Sequence, residues 1–331
     1  MADTSRVDED GERERCRVAA DLYYNGEFTQ EYIAAYLGIS RPWVSRLIKR
    51  ARELGVVTIS VEPSTQRQLG LERRLAQVLQ ISRCLIASST TLEDTARMAA
   101  AHLAESLRDG DVLGLAWGKT LAAIVNAFEP AQQPLGLRCV ALIGGASVAR
   151  PEIDSNRLVL ETARKLGAAA NVLNAPAFVE NAHVRQLLLN ERGIRATLAL
   201  AERTTVALMC VGGLTDSTIR ELGTLSAGEF SELQSRRAVG DVCQWFIDEQ
   251  GRPIDSGPSR RMISADLTRI RERARERIAV TIGEGRAKAI VAGARGRWFT
   301  TLVTNLPTAR AVLDYAGARP ADLATRSAAG D

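Results

Sequence analysis

Four short stretches bring glycines, hydroxyls, carboxylates and cations together at spacings suited to holding a small anionic, hydroxylated ligand. The first, Gly114-Leu115-Ala116-Trp117-Gly118-Lys119-Thr120, reads as a strand that passes through a glycine turn into a helix. The N–H groups at such a helix start can cradle an anion, helped by the Lys119 charge and the Thr120 hydroxyl. The Walker spacing Gly-x-x-x-x-Gly-Lys is absent, and a plain strand-to-helix turn explains these residues equally well. The second is Ile143-Gly144-Gly145-Ala146-Ser147, followed by Asp154-Ser155-Asn156. Paired glycines permit close backbone approach by a ligand, and Asp and Asn suit sugar hydroxyls, although both are also good helix caps. The third, Ala238-Val239-Gly240-Asp241-Val242-Cys243, sets a carboxylate in an apolar run, where it either faces something polar or shapes a turn. The fourth, Thr281-Ile282-Gly283-Glu284-Gly285-Arg286, again opens a helix. A cation there is poorly placed for the helix dipole, and an anionic ligand would relieve that; a plain exposed arginine is the alternative.

A fifth stretch, Phe28 to Arg52, carries chemistry of another kind. Thr29 can cap a first helix, Gly38 suits the reversal that ends it, and Ser40 can cap a second helix with Pro42 in its first turn. Val44, Leu47, Ile48 and Ala51 then share one face at helical spacing, while Arg41, Ser45, Arg46, Lys49, Arg50 and Arg52 fall mostly elsewhere. No acidic residue interrupts the run from Ser40 to Arg52, so these cations are expected to lack local partners. This is the layout of a helix-turn-helix whose second helix enters the DNA major groove, against the blander reading of a helical hairpin with a solvated basic face.

The elements that must position these residues follow from periodicity. Residues 1–11 read as a polar, disordered leader and 12–62 as the helix-turn-helix domain. Within that domain an apolar helix spans Cys16 to Tyr24, and Val56 to Val61 alternates like a short strand. Residues 63–80 read as a helix that either lies on the surface or pairs with a second subunit. From 81 to 317 strands and helices alternate. Strand-like runs fall at 82–87, 112–116, 138–143, 206–211, 278–282 and 301–304, with helices at 91–107, from 121, 157–166, 287–294 and 309–315. That order predicts a mostly parallel sheet covered on both faces, an α/β fold that binds ligands at the carboxyl ends of its strands. The alternating Arg and Glu of 269–277 read as a solvated helix face, and 318–331 as a disordered tail.

Composition narrows the function. The chain has 331 residues and a net charge of only +4, so nucleic-acid affinity must come from a local patch. Five scattered cysteines, none in a Cys-x-x-Cys pair, argue for reduced thiols in a cytoplasmic protein, and two histidines argue against a histidine-rich metal site. Neither a signal peptide nor a membrane-spanning run is read, and no cofactor is called for.

The motifs together resemble the SorC-type sugar-responsive transcriptional regulators of bacteria. Those that carry the resemblance are Ile39-Ser40-Arg41-Pro42 with Val44-Ser45-Arg46-Leu47, Trp117-Gly118-Lys119-Thr120-Leu121, Gly144-Gly145, Ala175-Pro176-Ala177-Phe178-Val179, Ala238-Val239-Gly240-Asp241, Asp248 with Gly251-Arg252-Pro253-Ile254-Asp255, and Leu302-Val303-Thr304. The resemblance implies a winged-type helix-turn-helix and a larger Rossmann-like α/β effector domain similar to sugar-phosphate isomerases. It also implies double-stranded operator DNA and a phosphorylated sugar or polyol as partners, and a homo-oligomer, a tetramer. The expected DNA-contacting set is Gln30, Ser40, Arg41, Pro42, Trp43, Ser45, Arg46, Lys49 and Arg50. The expected effector-binding set is Trp117, Gly118, Lys119, Thr120, Gly144, Gly145, Asp154, Asn156, Asp241, Glu284 and Arg286, with phosphate on Gly118-Lys119-Thr120 and near Arg286. Three positions depart from the family pattern: Arg286 stands where lysine is common, Ile143 where a polar residue is common, and Trp43 where a smaller residue is usual. The competing class is a sugar-phosphate isomerase or deaminase on the same fold, with Asp154, Asp241 and Glu284 as acid–base candidates. Neither His102 nor His183 lies in a candidate loop.

Overall fold

The computed structural model describes residues 4–26, 28–57, 68–130, 136–146, 150–215, 219 and 222–317. The chain divides into two compact units, 1–64 and 65–331. The first is built of α1 (Thr4–Tyr24), α2 (Gln30–Leu37) and α3 (Arg41–Glu53). Helix α1 starts at Thr4, so residues 4–11, expected as a disordered leader, form its first turns. Val44, Leu47, Ile48 and Ala51 are the buried face of α3, as the spacing predicts. Val44 and Ile48 pack with Ile33 and Ala34 of α2, and Leu47 and Ala51 with Cys16, Ala19 and Ala20 of α1. The Thr29 hydroxyl accepts from the Tyr32 N–H, and Gly38 takes φ +66° to turn the chain between α2 and α3. Ser40 holds the N-cap position with extended backbone, yet its hydroxyl makes no capping bond. The expected short strand falls largely on residues 58–61, outside the described residues, as does the tail 318–331.

The second unit centres on a seven-stranded parallel sheet in the order β1-β10-β9-β5-β2-β3-β4. Its strands are β1 (Arg83–Ala87), β2 (Val112–Leu115), β3 (Arg138–Ala141), β4 (Ala169–Asn171), β5 (Val206–Met209), β9 (Glu276–Val280) and β10 (Thr301–Asn305). Strands β2, β5 and β10 are buried along their whole length, as expected for a parallel sheet covered on both faces. Helices Leu92–Ser106, Lys119–Ala127 and Ser155–Leu166 pack side by side as one layer, and Leu69–Leu79, Ala287–Arg295 and Leu306–Gly317 as another.

Helix Leu69–Leu79 belongs to this unit. Leu75 and Leu79 join its core, and the 4 % exposed Glu72 accepts a hydrogen bond from the N–H of Ile86. Its carboxylate thus covers an amide of the edge strand β1. The apolar run 206–211 is not one strand. The chain leaves the parallel sheet at Cys210 and continues as β6 (Val211–Gly213), which pairs antiparallel with β7 (Gly240–Val242), itself paired with β8 (Trp245–Ile247). The Arg/Glu run 269–277 is likewise not a single solvated helix face. A helix covers Leu267–Arg273, and β9 begins at Glu276. Arg271 lies 4.6 Å over the Trp298 ring and Arg275 pairs with Asp111.

Candidate functional site

Candidate effector residues gather where the strand order reverses. From β2 the chain winds outward through β3 and β4, then returns to lay β5 against the other side of β2. At such a switch point the loops leaving neighbouring strands diverge and open a crevice at their carboxyl ends. Here the loop after β2 carries Trp117, Gly118 and Lys119, and the end of β5 carries Cys210. The Cys210 thiol points at the Trp117 carbonyl, Sγ to O 3.8 Å. Burial pushes this thiol up to about 12, the Asp241 carboxylate beside it acts in the same direction, and the Arg286 guanidinium opposes both. Cys210 therefore stays a neutral thiol at physiological pH, with an acid and a base of the candidate set as its electrostatic neighbours. Nothing in its apolar run marks Cys210 as a site residue, and the sequence reading missed it.

Each side chain is placed by a local device. Asp241 sits in the middle of β7, 2 % exposed, and its Oδ2 accepts from the N–H of Gln244 at 2.8 Å. The turn it supports has Cys243 and Gln244 both in the left-handed region, at φ 49° and 64°. Arg286 ends a short turn, Glu284–Arg286, which leads into the helix Ala287–Arg295; its Nη1 lies 3.4 Å from the Thr281 hydroxyl. Glu284 of that turn is exposed. Gly118, at φ +133°, donates its N–H to the Ile153 carbonyl, so the positive end of the dipole is carried by the turn that begins at Lys119. Thr120 in that turn is buried and Lys119 exposed.

The second loop is used differently from the first expectation. Gly144 and Gly145 lie against chain, since a Cβ on Gly144 would stand 2.5 Å from the Pro176 carbonyl and one on Gly145 2.8 Å from Asp154 Oδ2. Asp154 caps its helix, Oδ1 accepting from the N–H groups of Asn156 and Arg157, while Oδ2 accepts from that of Ala146. Asn156 exchanges two hydrogen bonds with the backbone of Leu173. Capping accounts for Asp154, Asn156 ties the helix to the Leu173 backbone, and residues 175–177 approach the paired glycines closely. Trp117, Gly145 and Ala146 still border a cavity of about 350 Å³, walled by Phe178, Thr224 and Arg261.

In the first unit, the exposed face of α3 presents Arg41, Pro42, Trp43, Ser45, Arg46, Lys49 and Arg50, next to the exposed N-cap Ser40; Gln30 is half-buried at the start of α2. The expectation that the cations lack partners is corrected in part. Arg41 pairs with Glu31 of α2 at 2.8 Å, and Arg50 lies 3.3 Å from Glu12 of α1 and 3.2 Å from Glu53. Arg52 donates to the Tyr24 hydroxyl. Partners on the neighbouring helix or beyond the run are not visible as local charge pairs in it. These pairs are exposed, where such contacts are weak and a phosphate can displace the acid. Among the described residues, Arg46 and Lys49 have no acidic partner, and Arg46 lies over the Trp43 ring at 5.5 Å.

With this geometry in view, the relatives agree. Residues 64–314 match the Sugar-bind family model, described as a "putative sugar-binding domain". The chain is 30 % identical over 305 residues to the sorbitol operon regulator of Klebsiella pneumoniae, covering 89 % of this chain and 96 % of that one. It is also 30 % identical to the deoxyribonucleoside regulator of Bacillus subtilis, again over 89 % and 96 %. The crystal structure of the full-length Klebsiella regulator SorC superposes with a TM-score of 0.70 at 29 % identity, over 91 % of this chain and 99 % of that one. These relatives are regulators and not enzymes, which sets aside the isomerase alternative. A helix-turn-helix and a sugar-binding α/β domain on one chain, with relatives of this kind along nearly its whole length, make the protein a transcriptional regulator of the SorC-type sugar-binding family.

Proposed function

We propose that this regulator controls carbohydrate or polyol catabolism genes and responds to a phosphorylated sugar or polyol held at the β2/β5 switch point. The observation that carries the reading is the convergence on Cys210, at the carboxyl end of β5, of Trp117 from the loop after β2, Arg286 from the turn after β9 and Asp241 from the middle of β7. The phosphate sits on the helix turn from Lys119 and Thr120 and on Arg286, whose planar fork suits phosphate oxygens. Asp241 accepts from sugar hydroxyls. Gly144, Gly145, Asp154 and Asn156 shape the neighbouring wall, and Glu284 lies at its rim. The relatives' names, a sorbitol operon regulator and a deoxyribonucleoside regulator, support a sugar-derived effector.

On the DNA side, Arg41, Ser45, Arg46 and Lys49 contact phosphates and bases, with Gln30, Ser40, Pro42, Trp43 and Arg50 flanking them. Phosphate contacts supply most of the affinity and a few base contacts select the operator. A symmetric dimer spaces two recognition helices about 34 Å apart, one DNA turn, and the proposed tetramer pairs two such dimers in the cytoplasm.

The test is a thermal-shift panel of phosphorylated sugars and polyols against their unphosphorylated counterparts. A ligand that binds only the native state raises the melting temperature. A rise that requires the phosphate is the expected result. A rise with the unphosphorylated compounds alone overturns the phosphate assignment.

A further inference from the structure

We propose that Trp43 is a positioning residue that fixes Arg46 for reading a guanine in the operator major groove. The inference rests on the DNA reading above and extends it to a base class and a specificity device.

Trp43 lies on the outside of its domain. It is 42 % exposed, whereas the face of α3 turned to the core is Val44, Leu47, Ile48 and Ala51. An indole left that far in water covers little of the core, and its ring is used at the surface, where the Arg46 guanidinium lies over it at 5.5 Å from the centroid. Positions 43 and 46 are one turn apart, so the contact is the natural meeting of two side chains on one helix face. Both line a groove of about 530 Å³ between α1 and α3, together with Lys49 and Arg50.

Arg41, Arg46 and Arg50 of α3 divide in two. Arg50 is held by Glu12 and Glu53, and Arg41 by Glu31. Arg46 is held by the ring alone among the described residues. A carboxylate occupies the donors of an arginine, and an aromatic face does not. The ring restrains the guanidinium and leaves its N–H edge open. That edge is the fork that pairs with O6 and N7 of guanine, the contact arginine makes best in the major groove. Trp43 and Arg46 also lie in the first half of α3, and recognition helices meet base edges with their N-terminal residues. An arginine stacked in advance loses less freedom on binding the base, so the ring adds to discrimination without touching DNA bases itself.

The experiment selects duplexes from a random-sequence library with the full-length protein, then measures affinities by fluorescence anisotropy. The selected site is compared with versions in which each guanine is replaced. Arg46→Ala is expected to abolish the preference, about 5- to 150-fold, at one guanine per half-site. Trp43→Ala is expected to reduce the preference at that same position by about two- to fivefold, the scale of an exposed cation–π contact. Trp43→Phe restores most of it, and the salt dependence is the same in all three Trp43 proteins, since phosphate contacts are untouched.

Three outcomes overturn the proposal. Trp43→Ala could weaken all sequences equally with no rescue by Phe, which makes the ring a packing or backbone contact. It could change preference at a different base pair, which makes Trp43 a direct reader. Arg46→Ala could leave every preference intact. If the unaltered protein selects no sequence at all, the DNA reading itself fails, and that result is distinct from the other three.

Discussion

At the scale of single residues, the same side-chain types serve either the fold or the ligand, and geometry separates them. Asp154 and Asp241 are both carboxylates close to glycines, Asp154 at the start of a helix and Asp241 in the middle of β7. Asp154 accepts three backbone N–H groups, which ties the 144–146 loop to the start of the helix Ser155–Leu166. Asp154→Ala is therefore expected to destabilise the effector domain by about 2 kcal/mol, the upper range for losing an N-cap, as read by chemical denaturation. A loss indistinguishable from zero would return Asp154 to the ligand-facing set. Glu276 shows the same economy at the other end of the strands. Burial alone would raise its pKa, but hydrogen bonds involving His102, Ser106 and Thr301, with the His102 charge, hold it at about 2 against an ordinary 4.5. A carboxylate depressed in the folded state stabilises the fold above its unfolded pKa, and the contribution fades as pH falls from about 4.5 towards 2. Glu276→Gln is thus expected to lower the melting temperature at neutral pH and to narrow the gap from the unaltered protein below about pH 4.5. A gap constant across that window would show that the His102–Glu276 contact carries no linkage to folding.

At the scale of elements, what the sequence made legible was whatever is encoded locally. The two helices around Gly38, the buried stripe of α3 and the strands 83–87, 112–115 and 301–305 all follow from periodicity and turn residues within a short window. What stayed hidden depends on partners distant in sequence. Val206 to Val211 looks like one strand because each residue is apolar, yet the break at Cys210 arises because Val211 pairs with Val242, far along the chain. The 269–277 run looks solvated because its charges alternate, yet Trp298 and Asp111 sit against Arg271 and Arg275. For Asp154 and Asn156 the sequence offers either a cap or a ligand contact, and their bonds to Ala146 and Leu173 depend on segments that the local pattern does not reveal. Gly38 offers a clean test of the local code. Its φ is +66° and a Cβ there would meet nothing within 4 Å, so any cost of substitution is purely conformational. Gly38→Ala is expected to cost about 1–2 kcal/mol and Gly38→Asn less, because Asn tolerates the left-handed region. Amide exchange in Ile33–Leu37 reads this directly: it should quicken most in the Ala variant. Equal exchange in both variants would mean that the turn adapts to either residue without strain.

At the scale of the whole molecule, regulation requires that two sites on different units share a free energy. Effector and operator need only favour different states of the protein, and a coupling of about 1–3 kcal/mol suffices for a 5- to 150-fold change in operator affinity. Linkage makes the effect reciprocal: operator must change effector affinity by the same factor. The two halves can also be disabled separately. Arg286→Ala is expected to weaken binding of the phosphorylated effector while operator affinity without effector survives, and Arg46→Ala to do the reverse. Calorimetric titration of effector into free and operator-bound protein, set beside operator binding with and without effector, measures both ratios independently. Equal ratios in the unaltered protein, with each variant losing only its own binding event, are the expected result. Unequal ratios would mean a further linked equilibrium such as subunit assembly, because only a third equilibrium can break the symmetry between two otherwise coupled ligands.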